Sequence, residues 1–178
     1  MGKGDAPVTP PLNPPTRQGL TAYGVALVVA ALDQASKAWI LGPFDLPAKG
    51  QVALSPIFKL SMVWNPGVSY GLLQSHGPLG RWLLVLFAAS VVAGLAVWVA
   101  RTTRPLTALA VGLIMGGAIG NNLIDRVRLG MVADFLDFSG IGFKWVFNVA
   151  DSAITVGMIV LLIEMLLPQR PPAAAEPS

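Results

Sequence analysis

The sequence predicts an all-α membrane bundle of four transmembrane helices, with a small extracytoplasmic β or extended region in the first long loop. Two observations carry this. Apolar residues make up 54% of the 178 and charged ones only 12%, about half the ~25% charged share of ordinary soluble domains. The apolar residues are also gathered into blocks. Residues 82–100 (WLLVLFAASVVAGLAVWVA) and 105–124 (PLTALAVGLIMGGAIGNNLI) carry no charged side chain, and each is about the 20 residues needed to cross the hydrocarbon core of a bilayer.

The first apolar stretch, 19–32, ends in Asp33 and becomes a full span if it continues through Trp39 and Ile40. Alone it could pass for a signal-peptide core behind Lys3 and Arg17, but three more apolar segments follow it, which favours a retained helix. Pro43, Pro47, Gly50 and Pro56 then punctuate short runs such as QVAL and FKLSMVW. This reads as a hairpin or extended region outside the lipid. Gly77-Pro78 precedes the second span, and Arg101 and Arg104 bracket a tight turn before the third. Residues 125–147 form the second long connection, and Pro168 stops the last helix. The domain plan is a tail (1–18), a four-helix domain (19–168) with spans near 19–41, 80–100, 105–124 and 148–167, and a second tail (169–178). Pro-rich composition predicts disorder in both tails. An even number of spans puts both termini on one side; charge counting barely orients the chain, and the density of the short Arg101–Arg104 turn favours the cytoplasm for that side.

Composition also excludes chemistry. There is no cysteine, hence no thiol nucleophile, disulfide or thiolate metal site, and a single histidine, His76. No metal and no cofactor are expected. Basic residues are scattered, without a nucleic-acid footprint. Gly67-Val68-Ser69-Tyr70-Gly71 fits the G-x-S-x-G nucleophile elbow, but that motif needs a strand–turn–helix setting that this chain does not offer.

Charges inside apolar spans are costly and mark candidate sites. Asp33 and Lys37 are one helical turn apart, which also suits a self-neutralising ion pair. Glu164 reads as an interfacial, snorkelling residue. Asp151, in F-N-V-A-D-S, is explicable as an acid in the first turn of a helix capped by Asn148. Asp134, in M-V-A-D-F-L-D-F, is flanked by apolar residues whose burial of the carboxyl raises its pKa. Two carboxyls sharing a site hold one proton between them, which is what general acid–base hydrolysis of an amide requires. Asp125 and Asp137 are rivals. Asp125 has Arg126 beside it, and Asp137 joins Asp134 on one face if 134–137 is helical.

Five blocks, in order, resemble one family: Asp33-Gln34-Ala35-Ser36-Lys37; Asn65-Pro66-Gly67; Gly116-Gly117-Ala118 leading to Asn122-Leu123-Ile124-Asp125-Arg126; Val132-Ala133-Asp134-Phe135; and Phe147-Asn148-Val149-Ala150-Asp151-Ser152. Across roughly residues 20–167 the chain is similar to bacterial lipoprotein signal peptidase, or signal peptidase II. The resemblance implies an aspartyl endopeptidase of the bacterial inner membrane that cuts diacylglyceryl-modified prolipoproteins just before the lipidated cysteine. It implies a catalytic dyad of Asp134 and Asp151, supported by Asp33, Lys37, Asn65, Gly67, Asn122, Asp125, Arg126 and Asn148. It further implies inhibition by globomycin, cytoplasmic termini and a site near the periplasmic face; membrane lipid is the other expected partner, and a monomer the expected state. One departure stands out. The family pattern reads Gly-Asn before the two residues preceding Asp-Arg, whereas here Asn121 and Asn122 are adjacent after Gly120. Distance from Asp125 assigns the role to Asn122; a helix shifted by one residue would give it to Asn121. The competing reading is a small proton-coupled carrier or channel component using buried acids as a relay; a third is a scaffold subunit whose polar residues only join helices.

Overall fold

The computed structural model describes residues 14–67 and 78–167. Most of both expected tails, and the Ser69 and His76 of the elbow reading, lie outside the described residues. The chain runs α1 (Arg17–Leu41), α2 (Leu46–Lys49), β1 (Gln51–Ala53), β2 (Lys59–Asn65), α3 (Pro78–Val99), α4 (Pro105–Ala118), a π-helical segment (Ile119–Asp125), α5 (Arg126–Arg128), β3 (Val132–Asp137), β4 (Val146–Phe147) and α6 (Val149–Leu166). Among the described residues four helices are long and apolar enough to cross a membrane: α1, α3, the continuous rod Pro105–Arg128, and α6. That rod outruns the expected end at 124, because the π-turn carries the helix on through Asp125 and Arg126. The outer faces are apolar. Leu27, Phe87 and Val97 are 72%, 69% and 77% exposed, the reverse of a water-soluble bundle and suited to lipid.

Small residues let the helices touch. In α4, Gly112 and Gly116 sit one turn apart against α1, where an added Cβ would lie 2.7 and 2.6 Å from the carbonyl oxygens of Ala22 and Ala26. On the other side, Gly117 meets the Ala150 carbonyl of α6, and Gly157 of α6 meets that of Ala110. Lipid tails give helices no hydrophobic drive to associate, so this close backbone packing is what holds α4 between its neighbours. Thr16 ties the start of α1 to the α3–α4 turn: its hydroxyl accepts from Gly19 N (3.0 Å) and donates to Thr102 O (2.5 Å). Gly116→Ala is therefore expected to cost about 1–3 kcal/mol by overpacking. Gly94→Ala in α3, where no atom lies within 4 Å of the new Cβ, should be neutral or stabilising. Thermal unfolding in detergent distinguishes the two.

The extended region expected in the first long connection is half of a larger sheet. The second connection supplies the other half, giving an antiparallel order β1-β2-β3-β4. Buried Ile40, Leu46, Leu60 and Phe135 form a core between this sheet and the end of α1. A bulge in β2 between Leu60 and Val63 shifts the register with β3, so that Leu60 pairs Leu136 but Val63 pairs Asp134. Because β3 is a strand, Asp134 and Asp137 point to opposite faces; the helical alternative that would have joined them does not hold. Asp137 instead accepts from Ser61 Oγ at 2.6 Å, at the bulge, and this bond holds its carboxyl below the usual carboxylate range.

Candidate active site

Four segments meet at the sheet end of the bundle: the last turns of α1, the π-segment, β3, and the start of α6. The short β4 matters most for this. It pairs Phe147 with Leu136 of β3 and leads directly into Asn148, the N-cap of α6. The Asn148 side chain accepts from Asp151 N (2.9 Å) while Asp151 Oδ2 accepts from Asn148 N (3.1 Å), a reciprocal capping box. The same Asn148 side chain donates to Asp134 Oδ1 at 2.7 Å. One wholly buried amide thus touches both aspartates, which have sixteen residues between them in sequence.

A second amide extends the link. Asn121 donates to Asp151 Oδ1 (2.7 Å), and its own oxygen accepts from Lys37 Nζ (2.7 Å) and Asn148 Nδ2 (3.0 Å). Lys37 Nζ also meets Asp33 Oδ2 at 2.8 Å and Asp125 Oδ2 at 2.7 Å, all three side chains being buried. Asp33 is therefore not merely a local partner of Lys37. Its other oxygen accepts from Ala150 N (3.0 Å) in the first turn of α6, favourable for an anion at a helix N-terminus. Gly120 is required here, since a Cβ would lie 2.5 Å from Asp33 Oδ2. Asp125 accepts from Gln34 (2.7 Å) and from Ala133 N (3.3 Å), tying it to β3. Arg126, read from sequence as a neighbour of Asp125, turns away to donate to Pro66 O (3.2 Å) and Gly67 O (3.1 Å). This fixes the turn after Asn65, whose amide donates to Asp134 Oδ2 at 3.2 Å.

The geometry gives Asn121 and Asn122 different partners. Asn121 is buried among the carboxylates, whereas Asn122 accepts from Arg126 Nε (3.1 Å). Counting back from Asp125 assumes an α-helix; the π-turn inserts one residue into that count. Gln34 is the other network member that the sequence reading did not single out.

Two cavities, of about 290 and 520 Å³, have Asn65 and Asp151 in both their walls. The smaller runs between α3 and α6 along Leu84, Phe87 and Ile154; the larger opens past Asp134, Trp145 and Met158. Burial pushes the Asp134 carboxyl up to about 7, and the Asp151 charge adds to the effect, against the N–H donors Asn65 and Asn148. Asp134 is thus poised to hold or release a proton near neutral pH.

Residues 25–167 match the family model described as Signal peptidase (SPase) II. The chain is 53% identical over 152 residues to the lipoprotein signal peptidase of Caulobacter vibrioides, covering 85% of this chain and 90% of that protein. It is 45% identical over 158 residues to the lipoprotein signal peptidase of Rhodopseudomonas palustris, covering 86% and 94%. A solved structure described as a bacterial membrane enzyme superposes with a TM-score of 0.71 at 25% identity, covering 88% of this chain and 93% of that one. The family match runs from Val25 in α1 to Leu167 at the end of α6 and so takes in the whole carboxylate network: the chain belongs to the signal peptidase II family and is an aspartic-type peptidase.

Proposed function

We propose that the chain removes signal peptides from diacylglyceryl-modified prolipoproteins, cutting before the lipidated cysteine, with Asp134 and Asp151 as its general acid–base dyad. The observation that carries this reading is Asn148, whose side-chain NH₂ donates to the Asp134 carboxylate and whose backbone N–H donates to the Asp151 carboxylate, where both acids face a cavity. The dyad shares one proton, resident on Asp134. The Asp151 carboxylate takes a proton from a water as the water oxygen attacks the scissile carbonyl carbon, and Asp134 gives its proton to the carbonyl oxygen. Asp151 then protonates the amide nitrogen, the C–N bond breaks, and Asp134 recovers its proton from the tetrahedral hydroxyl. Asn65, Asn121 and Asn148 orient the two acids without adding charge, and the Lys37 cluster holds Asn121.

A membrane-anchored substrate requires a site at membrane depth, reached sideways, and the cavity between α3 and α6 fits that need. The sheet end of the bundle is the periplasmic end in this reading, and both termini and the Arg101–Arg104 turn are cytoplasmic, in the bacterial inner membrane. Globomycin would compete for the same cavities. A proton carrier would string its acids across the bundle, whereas Asp33, Asp125, Asp134 and Asp151 gather at one end. The direct test is release of signal peptide from a diacylglyceryl prolipoprotein by the reconstituted protein; conversion of the unlipidated precursor at the same rate would sink the substrate assignment.

The raised Asp134 pKa makes two further expectations. With the proton on Asp134, the rate should fall as pH rises through about 7, approaching tenfold per unit above it. Stability follows the same group. A folded pKa of about 7 against an ordinary value of 3.8 means the folded state binds more protons between those values. Stability from this group is therefore fully present below pH 3.8 and is lost as pH rises towards 7, by at most about 1.4 kcal/mol per unit. Asp134→Asn should flatten that slope in a pH series of thermal unfolding.

A further inference from the structure

The π-segment sends two consecutive asparagines to different tasks. Its bond from Arg126 N to Asn121 O spans five residues, and both asparagines line the 290 Å³ cavity, Asn121 with its amide committed to Asp151 and Asn122 with its oxygen on Arg126. The orientation of the Asn122 amide is fixed by chemistry. Arginine Nε only donates, so the Asn122 oxygen must face Arg126 and its NH₂ must face the other way. Among the described residues that NH₂ has no protein partner. The other two amides in the wall are engaged, Asn65 with Asp134 and Asn121 with Asp151. The remaining wall is mainly aliphatic and aromatic, with Leu84, Phe87, Val91 and Ile154. An uncommitted N–H pair in a mainly apolar slot whose wall also holds Arg126 and Asp151 suits an oxygen acceptor, and on a lipid-bearing peptide the strongest uncharged acceptor is a carbonyl.

Resting on the peptidase reading above, we propose that Asn122 is a substrate-contacting residue whose Nδ2 donates to a carbonyl oxygen of the substrate portion lodged between α3 and α6. Two carbonyls are available on such a substrate, the peptide backbone and the acyl esters of the lipid. The contact forms on binding and persists through the reaction, so it acts on substrate affinity rather than on the chemical step.

The test uses full-length protein in proteoliposomes with two substrates, a diacylglyceryl prolipoprotein and its ether-linked dialkylglyceryl analogue. Asn122→Asp keeps an oxygen for Arg126 Nε and loses the N–H donors. It is expected to raise KM for the diacylglyceryl substrate about tenfold, with kcat changed less than threefold. If the lipid ester is the acceptor, wild type shows the same rise in KM with the ether analogue, and Asn122→Asp adds nothing to it. If a peptide carbonyl is the acceptor, wild type treats the two substrates alike and the variant raises KM for both. KM unchanged for both substrates overturns the proposal. So does a fall in kcat alone with a shifted pH profile, since that would mean the new charge acts only on the dyad. Asn122→Ala, which adds no charge, must reproduce the rise in KM. Failure of wild type to cleave either substrate would instead refute the peptidase reading itself.

Discussion

Asp134→Asn and Asp151→Asn are each expected to lower prolipoprotein cleavage by about 10³-fold or more, the scale of a lost general acid or base, while the protein still inserts and folds. The two variants differ in how cleanly they test this. In Asp134→Asn the side-chain oxygen can keep the 2.7 Å bond from Asn148, and the new NH₂ faces only the Asn65 amide, at the end of β2, so the one bond lost is the 3.2 Å bond from Asn65. In Asp151→Asn one of two N–H donors, Asn121 Nδ2 or the Asn148 backbone, must face another N–H. That variant loses half of a capping box and should also unfold earlier, by about 0.5–2 kcal/mol. Asp134→Asn is therefore the sharper probe. The double variant should be scarcely worse than either single one, because groups acting as a unit are not additive. Release of signal peptide, followed with thermal unfolding of the same samples, checks all three. Near-normal turnover in either single variant would remove that residue from the dyad.

Much of this arrangement was legible before any coordinates, and the reasons differ by element. The four helices were readable because lipid-facing helices have to be apolar over a length set by the bilayer. Asp33 and Lys37 stood out because charges in such helices are expensive. The sheet was half legible. β2 is framed by Pro56 and Pro66, while β3 is buried almost throughout and so shows no polar–apolar alternation to betray a strand. β4 is only two residues long; its pairing is a tertiary event, and the approach of Asp134 to Asp151 depends on it. The π-turn was invisible for a related reason. Residue counting presumes 3.6 residues per turn, so it could not foresee that Asn121 lies among the carboxylates and Asn122 against Arg126. Gln34 was passed over because an uncharged amide beside two charged neighbours carries no distinctive spacing.

The largest structural effect should come from Lys37→Met. Lys37 is 2% exposed, and its three N–H donors are all used, on Asp33, Asp125 and Asn121. Methionine fills much the same space, so the packing loss is small and the electrostatic loss dominates. Two buried carboxylates would lose their shared cation, and stranding a buried charge in this way costs about 3–5 kcal/mol. Adding Asp125→Asn to Lys37→Met removes one of those anions and should recover part of the loss. Asp125→Asn alone should mainly harm stability, since it leaves Lys37 with Asp33. Activity should fall in Lys37→Met for a separate reason. The Asn121 oxygen would keep only Asn148 as a donor, freeing the amide that orients Asp151. A double-mutant cycle of unfolding and turnover separates the two effects: recovered stability without recovered turnover is the expected pattern, because Asp125→Asn does nothing to re-anchor Asn121. If both recover together, Lys37 serves the fold alone. If Lys37→Met is as stable as wild type, the buried ion cluster is not what holds α1 to the π-segment.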